Sequence, residues 1–382
     1  MAATRSPTLQ TAIRPTAAGG PIPSLDGVRA VSVALVFFSH GGLENIVPGA
    51  VGVTIFFVLS GFLITTLMRE EYAAQGSISF RAFYLRRFLR LMPPLVIVTA
   101  IAVALSLTTA LGSPFTLTGL LSVLGYFSNY FRISHGNIGL PPGLGVTWSL
   151  AIEEHYYLLY PPLALALLRF GRPVFSAITL ALLCALILAW RCWLQLHGGS
   201  EDHLSMGTDT RVDAILIGCL LAMVKNPWLD SVAVAKRTRD LSLAGACLGL
   251  LLVSFLWRSE FFRMTFRYTL QCLAIAGLLY LAVTRAHLVP FRWLNTRPLV
   301  YLGAVSYTVY LSHYLVLVWA QAHLSALGRV AVVAVTATVT LGIAFLMREW
   351  VEKPCAAMRR RLHQTFVSRP PAPARALAEG RR

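Results

Sequence analysis

Residues 25–42 read LDGVRAVSVALVFFSHGG, an apolar run with an arginine near one end and a histidine near the other. A predominantly apolar stretch of about 20 residues is long enough to cross a bilayer as a helix. Such stretches recur along the chain at about 27–43, 49–68, 90–111, 115–131, 148–168, 173–196, 211–225, 241–257, 264–284, 298–321 and 327–348. The chain of 382 residues is 56% hydrophobic and only 13% charged, against about 25% charged in soluble domains. Its mean hydropathy of +0.66 agrees. The fold class expected is therefore all-α: a polytopic integral membrane helical bundle.

Lysines and arginines orient the segments. Basic clusters occur at Arg81–Arg90, Arg169–Arg172, Lys225–Arg239, Arg285–Arg297 and Lys353–Arg382, whereas 198–210, 258–263 and 321–327 are poorer in positive charge. The positive-inside rule puts the clusters in the cytosol. One outward crossing follows Arg90, and one inward crossing from about 148 reaches Arg169. A full crossing at 115–131 would break that parity, and Ser, Thr, Gly and Asn interrupt it. It is expected to be a re-entrant or interfacial piece covered by protein. Ten transmembrane helices remain, in one domain over 24–352, with no internal repeat. Residues 1–23 are expected to be a disordered cytosolic tail and 353–382 a cytosolic basic tail. A bacterial-type inner membrane with both termini cytosolic is the expected location.

The net charge of +17 lies in loops and tail, so it is a topology signal, and no nucleic-acid partner is expected. The six cysteines are scattered, with no CxxC or Cys/His spacing. No metal site is expected, since His40 and Glu44 form only a weak HxxxE pair.

Ionisable groups at membrane depth are costly and mark functional sites. Arg29 and His40 are eleven residues apart; at about 100° per residue they face one side, roughly 16 Å apart along the axis. Arg29 can equally be a snorkelling anchor, and His40 a structural interhelical contact. An imidazole is nevertheless the natural general base near neutral pH. In FRAFYLRRFLRLMPP, Arg87 and Arg90 share a face of a short amphipathic helix, and Pro93 and Pro94 mark a turn into the next span. Guanidinium forks suit phosphates, and equally an anionic lipid surface. Trp148, Glu153 and Glu154 in TWSLAIEEHYYLLYPP lie on the outer side, in the depth zone of His40. Asp209, Arg211 and Asp213 reach the outer side too, where they can neutralise one another. In SYTVYLSHYL, Tyr310 and His313 are i,i+3 neighbours in the outer half. The expectation is two poles: Arg29, Arg87 and Arg90 near the cytosol, and His40, Glu153, Asp213 and His313 outside.

The segments SLDGVRAVSVALVFFSH, FFVLSGFLIT, FYLRRFLRLMPP, TWSLAIEEHYYLLYPP, DTRVDAILIGCLLA and SYTVYLSHYLV occur in this order. Together they resemble the membrane acyltransferase-3 family over about 24–356. The family's Arg-to-His motif falls on Arg29 and His40, its RxxR motif on Arg87 and Arg90, and its Trp-Ser-Leu…Glu motif on Trp148, Ser149 and Glu153. The resemblance implies transfer of an acyl group, often acetyl, from coenzyme A to a hydroxyl of a glycan, lipid carrier or glycosylated metabolite. Some larger members carry an esterase-like domain after the last span; none is expected here.

The expectation is an O-acyltransferase with catalytic residues His40 and Glu153, acyl-CoA held by Arg29, Arg87 and Arg90, and a carbohydrate-containing acceptor contacted by Trp148, Asp213, Tyr310 and His313. Acyl-CoA is a donor substrate, and no cofactor is permanently bound. Membrane lipid is the surrounding partner, and the oligomeric state stays open, a dimer among the options. The rival reading is a proton-coupled transporter or flippase, against which stands the lack of paired inverted repeats. Acceptor identity, acyl length and direct transfer versus an acyl-histidine intermediate are not legible.

Overall fold

The computed structural model describes residues 22–359 apart from 109–110, 113 and 232–235. Of the expected tails, residues 1–21 and 360–382 lie outside the described residues, whereas 353–359 continue the last helix instead of starting a tail. Among the described residues the regular structure is helical: α1 (Leu25–Phe38), α2 (Gly49–Gln75), α3 (Phe80–Leu107), α4 (Leu117–Leu124), α5 (Ser128–His135), α6 (Trp148–Phe170), α7 (Pro173–Leu196), α8 (Glu201–Met206), α9 (Thr208–Arg211), α10 (Asp213–Val224), α11 (Arg237–Leu256), α12 (Glu260–Met264), α13 (Phe266–Thr284), α14 (Arg297–Ala304), α15 (Ser306–Leu324) and α16 (Arg329–Met347).

Six of these, α2, α3, α7, α11, α13 and α16 with its extension to Arg359, are long and apolar enough to cross a membrane. A seventh span exists if α14 and α15, bent by 71° at Val305, count as one. The three other segments expected to cross are α1, α6 and α10. They differ because α1 and α10 are short, with 14 and 12 residues, and α6 carries Glu153, Glu154 and His155 in its first half. The interrupted segment at 115–131 becomes α4 and α5, eight residues each, roughly 12 Å long and too short to cross. Thr116 caps α4 by accepting from the Gly119 amide at 3.0 Å. At the break, Tyr126 takes a left-handed φ of 58° and its ring packs into the core.

Helix burial sorts the bundle. The most apolar window is 72% buried in α2 and 61% in α13, but only 17% in α7 and 11% in α11. The first two are therefore central; the latter two turn apolar side chains outward, where hydrocarbon can solvate them. Short α10 is buried on nearly all sides and lies along α2. That approach needs glycine: a Cβ on Gly61 would sit 1.9 Å from the Ile215 carbonyl oxygen, and one on Gly218 would sit 2.1 Å from that of Val58. Small residues replace hydrophobic driving force in membranes because close backbones gain dispersion contacts.

One local expectation changes. Pro93 and Pro94 do not separate a basic surface helix from the following span, because α3 runs unbroken through both. A proline keeps helical φ but donates no hydrogen bond. The cost is therefore confined to the carbonyls of Leu89 and Arg90, four residues earlier. Leu89, Arg90 and Pro94 line a cavity of about 180 Å³.

Candidate active site

Two spaces flank the middle of the bundle. The first is a narrow slot of about 70 Å³, lined by Arg29 of α1, Ser60 of α2, Arg87 and Arg90 of α3, Glu153 of α6 and Tyr310 of α15, among others. Three guanidinium groups share it with one lining carboxylate. Arg29 donates to Asp26 at 3.0 Å, and Arg87 lies over the rings of Tyr157 and Phe83 at 5.1 and 5.8 Å. Stacking of this kind holds a guanidinium in place while leaving its edge donors available. Glu153 accepts from Ser60 at 2.9 Å and from Tyr157 at 3.2 Å. Arg90 and Tyr307 belong to both the slot and the 180 Å³ cavity, so the cationic space continues toward Glu352 and Arg359.

The second space is an open vestibule of about 590 Å³ at the other end of α1, lined by His40, Glu44, Tyr314, Gln321, Ser325 and Arg329, with Val332 and Val333 among its apolar neighbours. That volume is typical of small-molecule sites. His40 projects from a single π turn, Ser39–Leu43, in which Gly42 has a φ of 93°. π turns of this kind recur at functional sites because they redirect a side chain out of the helical phase. Arg329 donates to the Gly42 carbonyl at 3.1 Å and so braces the turn.

Between the two spaces stands a layer of rings. His40 is exposed to the vestibule, and its Nδ1 lies 2.9 Å from Nε2 of His313. His313 is only 1% exposed. Its ring is 5.8 Å from that of Tyr310, which lines the slot. The Tyr310 hydroxyl bonds to Ser149 at 2.7 Å and donates to the Val146 carbonyl at 3.1 Å. A chain of side chains thus links the vestibule base to the wall of the cationic slot.

The structure groups the expected residues differently from the two-pole layout. Arg29, Arg87 and Arg90 come together. Glu153 joins them and not His40, because α6 starts at Trp148 and Glu153 lies five residues, or about 7.5 Å, further along the axis. His313 is the partner of His40. Asp213 reaches neither space. It is fully buried and accepts from Arg191 at 2.8 Å and from Thr269 at 2.9 Å. Nor does Arg211 neutralise it by direct pairing: Arg211 sits 3.8 Å over the Tyr268 ring and donates to Thr54 at 3.2 Å. Asp209 instead accepts from Trp190 at 2.8 Å and pairs with His203. Trp148 lines neither space and packs edge-on against Phe57, a slot residue.

Sequence reasoning missed Ser60 and Tyr157, which hold Glu153, and the vestibule residues Tyr314, Gln321 and Arg329. Tyr157 had a readable signal, standing four residues after Glu153 on the same helix face. Gln321 and Arg329 had none, since they sit at helix ends where polar residues are ordinary.

The chain belongs to the acyltransferase-3 family: its acyltransferase-domain model matches residues 22–349. The chain is similar to a peptidoglycan O-acetyltransferase of Listeria monocytogenes, with 33% identity over 312 residues, 77% of this chain and 49% of that protein. It is similar to a putative peptidoglycan O-acetyltransferase of Bacillus subtilis, with 32% identity over 327 residues, 78% of this chain and 49% of that protein. An O-acetyltransferase of Staphylococcus aureus is 28% identical over 313 residues, 79% and 51% of the two chains. The chain spans about half the length of these curated relatives. No solved structure matches it.

Proposed function

We propose that this integral membrane protein transfers an acyl group, acetyl in the simplest case, from cytosolic acyl-CoA to a hydroxyl of a carbohydrate-containing acceptor, with His40 as general base. The observation that carries the reading is the His40–His313 ring pair, exposed to a 590 Å³ vestibule on one side and one ring from a slot with three arginines on the other. The names of the relatives support O-acetylation of a glycan.

In this reading the phosphates of the donor engage Arg29, Arg87 and Arg90, for which clustered guanidinium forks are well suited. No cofactor is permanently bound; acyl-CoA is consumed as substrate. The acceptor enters the vestibule, where Glu44, Gln321, Ser325 and Arg329 offer donors and acceptors to its hydroxyl groups. His40 removes the hydroxyl proton as the oxygen attacks the thioester carbonyl carbon. The tetrahedral intermediate collapses with cleavage of the C–S bond, and the thiolate leaves with the proton returned by His40. Held together, the reactants gain an orientation term of roughly 7–11 kcal/mol. Glu153 acts on the donor side, bracing Tyr157 beneath Arg87. The basic end and both termini face the cytosol of a bacterial inner membrane, and the vestibule faces outward.

The test is acetyl transfer by the purified chain in lipid nanodiscs, from radiolabelled acetyl-CoA to a disaccharide muropeptide probe. Transfer that falls about 10²–10⁴-fold in His40→Ala supports general-base catalysis. Near wild-type transfer by that variant removes His40 from the chemistry. Movement of the probe into sealed proteoliposomes carrying the chain, with no acylated product, would support the transporter class instead.

A further inference from the structure

His313 has a partner for each ring nitrogen, and the partners differ in kind. Its Nδ1 faces the main-chain carbonyls of Tyr310 and Val309 at 2.6 and 3.2 Å. A carbonyl oxygen only accepts, so Nδ1 of His313 carries the proton. Among the described residues no carboxylate is hydrogen-bonded to either His313 or His40, and a full charge on the buried His313 ring would lack compensation. With Nδ1 protonated and the ring neutral, Nε2 of His313 has only a lone pair to offer. It lies 2.9 Å from Nδ1 of His40, which must therefore donate. His40 is then the Nδ1–H tautomer, and its Nε2 is left as the basic nitrogen.

We infer that His313 is a positioning residue that locks His40 in the Nδ1–H tautomer, so that Nε2 is the nitrogen that takes the acceptor proton. The inference rests on the general-base reading of His40 for its catalytic consequence, though not for the tautomer itself. The two rings lie nearly parallel, 13° apart, and Phe37 and Tyr314 pack around them at 6.2 and 4.9 Å. These neighbours fix the plane of the pair, while the helix carbonyls fix its protons. Without the lock, imidazole can carry its proton on either nitrogen. When His40 takes the acceptor proton it becomes a cation, and its Nδ1–H bond to His313 becomes charge-assisted and stronger. The proton that arrives at Nε2 leaves from Nε2 to the departing thiolate, so His313 keeps its own proton throughout. Its role is that of the orienting partner of a catalytic histidine, supplied by a neutral ring braced on its own helix.

Two variants separate this from simple packing. His313→Leu fills the space but accepts no hydrogen bond. His313→Gln keeps an amide oxygen that can accept from His40. Single-turnover transfer from acetyl-CoA to the muropeptide probe is expected to fall about 10–100-fold in His313→Leu, with the KM for each substrate unchanged, and to recover most of that loss in His313→Gln. The second readout is nitrogen-15 NMR of the histidine-labelled full chain in nanodiscs. His40 is expected to show a protonated Nδ1 in the wild type and in His313→Gln, and mixed tautomers in His313→Leu. A wild-type His40 protonated on Nε2 overturns the inference without any variant having to fold. So does a folded His313→Gln as slow as His313→Leu. If His40→Gln retains full transfer while the NMR signature is as expected, the general-base reading fails and the tautomer lock stands.

Discussion

Asp213 is the residue whose expected role changes most, and its replacement tests the assignment. The substitution Asp213→Ala leaves Arg191 without its carboxylate. Both side chains are fully buried, with relative exposures of 0%. Arg191 would retain the Thr210 carbonyl at 3.0 Å and the Thr269 hydroxyl at 2.7 Å. Arg211 lies over the same Tyr268 ring that Arg191 approaches at 5.5 Å, so two buried cations would share the site with no anion in contact. The Thr269–Asp213 hydrogen bond is lost as well, but hydrogen bonds between membrane helices average about 0.6 kcal/mol, so that loss matters little. Leaving a buried charge uncompensated costs about 3–5 kcal/mol, and this term dominates. Replacing both partners, as Arg191→Met with Asp213→Leu, removes the desolvation cost together with the attraction and is expected to be near neutral. The assay is reversible unfolding of the purified chain in mixed micelles, with Asp213→Ala and all four members of the Arg191→Met/Asp213→Leu cycle. A loss below about 1 kcal/mol for Asp213→Ala refutes the reasoning. An increase in KM for the acceptor with stability unchanged would return Asp213 to substrate binding.

Gly218→Val drives a side chain into the Val58 carbonyl, which a Cβ alone would meet at 2.1 Å. It is expected to separate α2 from α10 and abolish the monodisperse folded peak in size-exclusion chromatography; a normal peak with wild-type melting refutes that packing. Arg87→Ala removes a stacked guanidinium from the slot. Loss of a charged hydrogen bond is worth about 1.5–3 kcal/mol, so acetyl-CoA affinity is expected to fall about 10–150-fold by calorimetry, with melting little changed.

Glu153 and Asp213 illustrate where linear reading stops. Both are acids near the start of a span, and their sequence surroundings look alike. Glu153 ends in a cavity wall between Ser60 and Tyr157, whereas Asp213 ends in a sealed ion pair with Arg191. Arg191 stands in the apolar run LALLCALILAWRCWLQL, where nothing nearby announces a partner. An arginine at membrane depth is costly wherever it stands, and only packing between α7 and α10 supplies its acid.

By itself the sequence determined the helical membrane class, the apolar segments that form the long helices and the break at 115–131. Each of these follows from hydropathy or from polar and glycine interruptions along a single stretch. It also marked Arg29, Arg87, Arg90, His40, Tyr310 and His313, because polar groups in apolar runs are costly wherever they lie. Tertiary structure alone decided that three arginines share one slot with Glu153, that His40 opens onto a vestibule, and that its ring meets a histidine 273 residues away. Helical periodicity sets which side chains share a face of one helix. The face it meets depends on how helices far apart in sequence pack, and here glycine contacts, a π turn and a buried ion pair settle that.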